Sequence, residues 1–167
     1  MTIEQQIASA FHLNDENWMR HANPASVWTR FTVLPLLILA FWSRAWLGWW
    51  ALIPIALAVA WTFLNPLVFP RARTTTNWAS KGVLGERVWA SRDNVPVPEH
   101  HRRAPNILNA LAGIGMILVI WGVIAFSIWP TVTGTVIAVM FKVWYVDRMV
   151  WLFEDMKHLP EYAKWLY

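Results

Sequence analysis

The chain has 167 residues, 57% of them hydrophobic and 14 of them tryptophan, which is too small for several soluble domains and too apolar for one with an ordinary water-facing surface. Lys and Arg outnumber Asp and Glu by 14 to 10, but most of the excess flanks apolar stretches, so anionic lipid headgroups rather than nucleic acid are the expected counter-charge. Zero cysteines exclude disulfides, thiolate metal ligands, Cys nucleophiles and Cys-held iron–sulfur clusters or haem, and leave the redox compartment unreadable.

Residues 1–20 are polar and mixed in charge, unlike the apolar core of a cleaved signal peptide. Thr2 and Gln5 have capping-box spacing, and Ile3, Ile7 and Phe11 recur along one face, which predicts a helix lying on a membrane surface. Asn14 is placed to cap a second short helix through Asp15 to Met19, with Leu13 and Trp18 as its staple, before Asn23-Pro24 ends it. Residues 1–26 are thus expected to be cytoplasmic or interfacial.

Two stretches carry no Asp, Glu, Lys, Arg or His at all, Trp46 to Pro70 and Ile107 to Phe141. An uncharged run of ~18 residues or more is long enough to cross a bilayer core. Four crossings are predicted, over residues 27–46, 49–69, 107–129 and 131–153, with Pro130 marking the last hairpin. The apolar part of the first, Phe31 to Trp42, gives only ~18 Å of helix against a core of ~30 Å. It must recruit Val27, Trp28, Ala45 and Trp46, with Arg30 and Arg44 snorkelling at its ends; a shallow re-entrant hairpin is the rival.

The connection over residues 70–106 collects Arg71, Arg73, Lys81, Arg87, Arg92, Arg102 and Arg103, whereas the other two turns hold Arg44 alone. The positive-inside bias therefore puts this loop, both termini and the tail 154–167 in the cytoplasm. Within the loop, Asn77 to Arg92 alternates Trp78, Leu84, Val88 and Trp89 with basic residues and suits an interfacial helix, against which Gly82 and Gly85 count. Pro96, Pro98 and Pro105 bracket an extended entry to the third crossing. The fold class is all-α: an integral membrane four-helix bundle with interfacial amphipathic helices, N-in and C-in.

Ionisable groups inside a spanning helix are functional candidates. Lys142 lies ~18 Å along the fourth helix from Pro130. It either snorkels to the cytoplasmic boundary or receives an anionic group such as a lipid phosphate or fatty-acid carboxylate; no carboxylate on its own helix or on the other spans can pair with it. Arg102, Arg103 and Arg148 join Lys142 as candidate lipid or anion ligands. Asp147 and Arg148, as sequence neighbours, point in different directions. A metal site is the alternative, drawn from His21, His100, His101, Asp147, Glu154 and His158, since two histidines and a carboxylate suffice for iron or zinc; the bland reading of the same residues is headgroup contact and a solvated helix with ordinary charge pairs. Serines 26, 43, 80, 91 and 127 show no nucleophile-elbow pattern. Asn65, Asn106 and Asn109 are expected to hydrogen-bond between helices, and Gly115 and Gly122 to allow close helix packing.

The stretches His21 to Arg30 (HANPASVWTR) and Asn77 to Trp89 (NWASKGVLGERVW) resemble a poorly characterised family of small prokaryotic four-helix membrane proteins, a domain of unknown function. That resemblance implies a multi-pass protein of a prokaryotic cytoplasmic (inner) membrane and no reaction. His21, Asn23, Pro24 and Pro35, with Glu99, Arg102 and Arg103, also bear a distant similarity to the membrane 2-hydroxy fatty-acid dioxygenases, which are iron-dependent. Arg30 stands where that family carries a second histidine, and its Gly-His pair upstream of Glu99 is missing.

The expected function is that of a membrane protein, not evidently an enzyme, that binds lipid or a partner subunit at the cytoplasmic face. The alternatives are a metal-dependent lipid oxidoreductase and a small oligomeric transporter or channel subunit. No cofactor is assured, iron or zinc being the candidates. Membrane lipids, a second copy or a membrane partner are the expected partners.

Overall fold

The structure, a computed structural model, describes residues 15–92 and 95–167. The helix expected over Thr2 to Phe11 and the cap at Asn14 with its Leu13 staple lie outside the described residues. Every regular element among the described residues is helical: α1 (Asp15–His21), α2 (Pro24–Arg30), α3 (Val33–Trp42), α4 (Arg44–Leu47), a 3-10 turn (Gly48–Ala51), α5 (Leu52–Val68), α6 (Trp78–Ala90), a 3-10 turn (Glu99–His101), α7 (Ala104–Ile124), α8 (Ile128–Met156) and α9 (Pro160–Ala163).

Two helical runs are long and apolar enough to cross a bilayer, Pro24–Val68 and Glu99–Ile124. The longest single helix, α8, with 29 residues, falls outside that pair; Thr131, Thr133, Thr135 and Lys142 dilute its apolar half. The first run is not one helix. It breaks at Phe31–Thr32 and turns back at Gly48, whose φ of +52° is costly for any residue with a Cβ. The helix expected from residue 27 is therefore divided: Val27 and Trp28 belong to α2, and α3 supplies 10 residues, ~15 Å of rise. Asn23-Pro24 does more than end α1. The Asn23 side chain accepts from Ala25 N at 2.9 Å and caps α2, with Pro24 at its first position.

α7 and α8 form the tightest hairpin. A Cβ on Gly115 would meet Gly134 O at 2.8 Å, and one on Gly134 would meet Gly115 O at 2.6 Å, so each glycine admits the other helix's backbone. Gly122 likewise seats against Thr131. The turn is Ala125 to Ser127 rather than Pro130, which sits in the first turn of α8, where a missing N–H costs nothing.

Arg44 closes the turn end of the molecule. Its guanidinium donates to the Val123 carbonyl and to Ile124 O at 3.1 Å and lies over the Phe126 ring. A cation on the last carbonyls of α7 satisfies acceptors that the helix cannot. The α4 turn and the α7–α8 turn thus share one end.

The opposite end is a polar-edged cap built around α6. No residue of α6 is exposed, and Leu84, Val88 and Trp89 are fully buried against Met149, Leu152 and Phe153 of α8. The sequence predicts an interfacial helix here; the structure encloses it. Gly82 and Gly85 are the reason, because they let α6 lie directly on the α8 backbone around Val146 and Met149. Asn77 caps α6 by accepting from Ser80 N at 2.9 Å. The chain's last residues pin the lead-in to α6: Thr75 N donates to Tyr167 O at 2.9 Å and Thr75 Oγ1 to Trp165 O at 2.7 Å. Asp15 of α1 pairs with Arg87 of α6, and Asn65 of α5 accepts from Ser26 Oγ at 3.1 Å and donates to Thr29 Oγ1 at 2.7 Å. Among the described residues Asn106 and Asn109 make no such link: both are exposed, and Asn106 donates to Arg102 O at the start of its own helix.

Candidate functional site

A cleft of about 340 Å³ opens where α2 gives way to α3 and both face the α7–α8 hairpin. Leu34, Ala112, Met116, Ala138 and Val139 make its walls, and Arg30 and Lys142 are its two cations. Gly113 also lines it, and the space where a Cβ would stand has no neighbour within 4 Å.

Both cations are held from the cap side. Arg30 donates to the ring of His21, to His21 O at 3.1 Å and to Ser26 O at 3.3 Å. Burial, then the charges of Arg30 and Lys142, press the His21 imidazole well below its usual pKa, so it is neutral and free to accept from the guanidinium. Lys142 Nζ reaches Glu86 Oε1 at 2.8 Å and lies 4.3 Å from the Tyr145 ring centroid. Among the described residues, the carboxylate that meets Lys142 comes from the cap helix α6. Two cations, one carboxylate and a neutral imidazole leave the cleft with an unbalanced positive charge beside apolar walls.

A second cluster lies further down α8. His100 and His101, on the 3-10 turn before α7, both direct Nε2 at Asp155 Oδ2, at 3.1 and 2.8 Å. His101 is 5% exposed, while His100 and Asp155 face solvent. The hydrogen bonds from His101, then His100, hold the Asp155 carboxyl below its ordinary range.

Of the sequence-derived metal candidates, the structure brings His100 and His101 together and leaves the others apart. Among the described residues the one group of three or more ligand-type side chains is His100, His101 and Asp155. His21 is engaged with Arg30, the residue that stands where the dioxygenases carry a histidine. Asp147 accepts from Trp78 Nε1 at 3.1 Å, and Glu154 accepts from Lys157 and then Lys81 (2.5 Å), which lower its pKa in that order. His158 is exposed and outside the group. Of the sequence-derived anion candidates, Lys142 lines the cleft. Arg102 and Arg103 are exposed at the start of α7, Arg148 packs over the Trp151 ring, and none of the three lines the cleft. Arg148 approaches Asp147 only to 4.0 Å, too long for a hydrogen bond.

Arg30, Glu86 and Asp155 are the side chains that the structure adds to the sequence-derived candidates. Glu86 had a signal: it stands one turn beyond Gly82, on the face that the glycines mark for contact with α8. Asp155 is one residue from the predicted Glu154, a rotation of ~100° about the helix.

A sequence model of the family of unknown function DUF6653 matches residues 2–165. The chain belongs to that family. No curated protein and no solved structure matches it, so the distant similarity to fatty-acid dioxygenases gains no support from a named relative. In this DUF6653 member, the family match spans both residue stretches that carry the cleft's cap-side contacts, His21 to Arg30 and Asn77 to Trp89.

Proposed function

We propose that this DUF6653 protein is an integral protein of a prokaryotic inner membrane that seats the anionic end of a lipid or fatty acid in the cleft between Arg30 and Lys142. The arrangement of the cleft carries the reading: two cations at one end of an apolar trough suit an amphiphile with a carboxylate or phosphate head. Membrane placement is supported by exposure. Only 17% and 28% of the two most apolar windows are buried within the protein, whereas a core helix of a soluble protein is mostly enclosed. Trp46, Trp49, Trp50 and Trp129 project from the turn end, Trp49 and Trp129 being 87% and 80% exposed, as expected of a ring of indoles at a bilayer interface.

Charge is sorted the same way. Arg44 is the ionisable residue of the turn end, and the cap holds the basic excess, which favours both termini facing the cytoplasm. On this reading α3 and α5 form a hairpin beside α7 and α8, and Lys142 marks headgroup level, just above the part of α8 that α6 encloses.

Titration of detergent-solubilised protein with oleate or phosphatidic acid, against phosphatidylcholine of the same chain length, tests the proposal. Each cation is worth about 1.5–3 kcal/mol as a charge-assisted donor. Lys142→Met or Arg30→Met should therefore weaken binding of the anionic ligands about tenfold to a hundredfold, while Arg102→Gln, outside the cleft, leaves it unchanged. Equal affinity for the zwitterionic lipid, or unaltered affinity in both cation variants, overturns it.

A further inference from the structure

We infer that His100, His101 and Asp155 form a binding site for a first-row transition-metal dication, zinc being the simplest case, which clamps the segment entering α7 to the inner end of α8. This site stands apart from the lipid cleft. Asp155 follows Lys142 by 13 positions on one helix, ~20 Å of rise.

The geometry is convergent. Both imidazole Nε2 atoms address the same carboxylate oxygen, at 3.1 and 2.8 Å, and all three ligand atoms lie within 4.8 Å of one another. With zinc–nitrogen and zinc–oxygen bonds of ~2.0–2.2 Å, ligand atoms of a tetrahedral site stand ~3.3 Å apart. The observed N···O separations are within half an ångström of that edge. A dication between them replaces two N–H protons that now compete for one oxygen, and needs only a small outward shift of the exposed His100 and Asp155 side chains.

The donor set selects the metal. Imidazole nitrogen favours zinc, copper, nickel and iron over magnesium or calcium, which take oxygen ligands. Three protein ligands leave a tetrahedral ion one further position. Since His101 is buried and the other two ligands face solvent, that position opens outward to water. Consecutive histidines suit such a clamp, because the 3-10 turn Glu99–His101 brings the two rings to a centroid separation of 4.2 Å at 45° between their planes, and neighbours in sequence thereby deliver two ligands to one side.

The test uses full-length protein in detergent, free of any polyhistidine tag and stripped with a chelator, titrated with zinc against a chromophoric competitor. Wild type should take up one zinc per chain with micromolar or tighter affinity and melt at a higher temperature with zinc than without. Asp155→Asn and the surface variant His100→Ala should each weaken binding by more than about tenfold, with His158→Ala unchanged. Neither informative variant alters a buried side chain, so loss of fold is not at issue. Failure of wild type to bind a stoichiometric zinc, or binding by His100→Ala and Asp155→Asn as tight as that of wild type, shows the three residues to be a hydrogen-bonded cluster only and overturns the inference. Lipid affinity does not enter this readout, so the two proposals fail separately.

Discussion

Gly85→Ala is the substitution to which the architecture is most sensitive. A Cβ at residue 85 would stand 1.9 Å from the Met149 carbonyl oxygen and 2.5 Å from its carbon. The shortfall against the 3.0 Å below which Cβ contacts are essentially never found is 3.0 − 1.9 = 1.1 Å. No rotamer can relieve a clash with backbone, so α6 must move bodily away from α8. It has little room to do so, because no α6 residue is exposed, and Ala79 and Val83 of α6 are buried in a separate cluster with Ala22 and Val27. Overpacking costs about 1–3 kcal/mol when side chains can give; with backbone on one side, about 3 kcal/mol is expected, equivalent to a fall of roughly 6–12 °C in Tm for a chain of this size. Tryptophan fluorescence during heating in detergent, with 14 indoles as reporters, reads it directly. Gly113→Ala is the matched control, since its Cβ meets nothing within 4 Å and helix propensity alone favours alanine by about 1 kcal/mol. If Gly85→Ala melts within about 2 °C of wild type, α6 does not lie on the α8 backbone and the cap as described is wrong.

In the lipid titration, Glu86→Gln should strengthen binding of oleate or phosphatidic acid several-fold, because Glu86 Oε1 is the anion that Lys142 now holds at 2.8 Å; unchanged or weakened binding would mean that Lys142 does not meet the ligand. Stability should also depend on His21. Its folded pKa lies below its unfolded value of ~6.5, so the unfolded chain binds the extra proton, and the stability present above pH ~6.5 declines as pH falls toward the folded pKa. Melting curves from pH 7.5 down to 5.5 should show that decline in wild type and a smaller one in His21→Gln. A slope of equal size in both places the titrating group elsewhere.

The elements were largely legible in the sequence, and their partnerships were not. Asn77 followed by an apolar-periodic stretch marks α6 in any context, but two glycines within it count against a helix unless the surface they approach is known. Their meaning lies in Val146 and Met149, more than sixty residues away. Asn23-Pro24 carries two signals at once, a stop for α1 and a cap for α2, and only the second shows that Val27 turns into the cap instead of starting a span. Lys142 is identifiable by depth alone, whereas Glu86 and Arg30 join it through tertiary packing that local patterns do not encode. The histidine pair stands out at once; that Asp155 rather than Glu154 is its neighbour could not be read, because the sequence predicts which face of α8 is apolar, not which side of its far end meets the 3-10 turn.

The central claim is that the turn end and the cap lie on opposite sides of a bilayer. A chain without cysteine allows it to be tested by single substitutions at exposed positions: Ala45→Cys and Ala125→Cys at the turn end, and Ala163→Cys in the cap. In intact spheroplasts a membrane-impermeant maleimide should label the first two and reach the third only after permeabilisation. Labelling of Ala163→Cys alongside Ala125→Cys in intact spheroplasts, or of Ala163→Cys alone, contradicts the account.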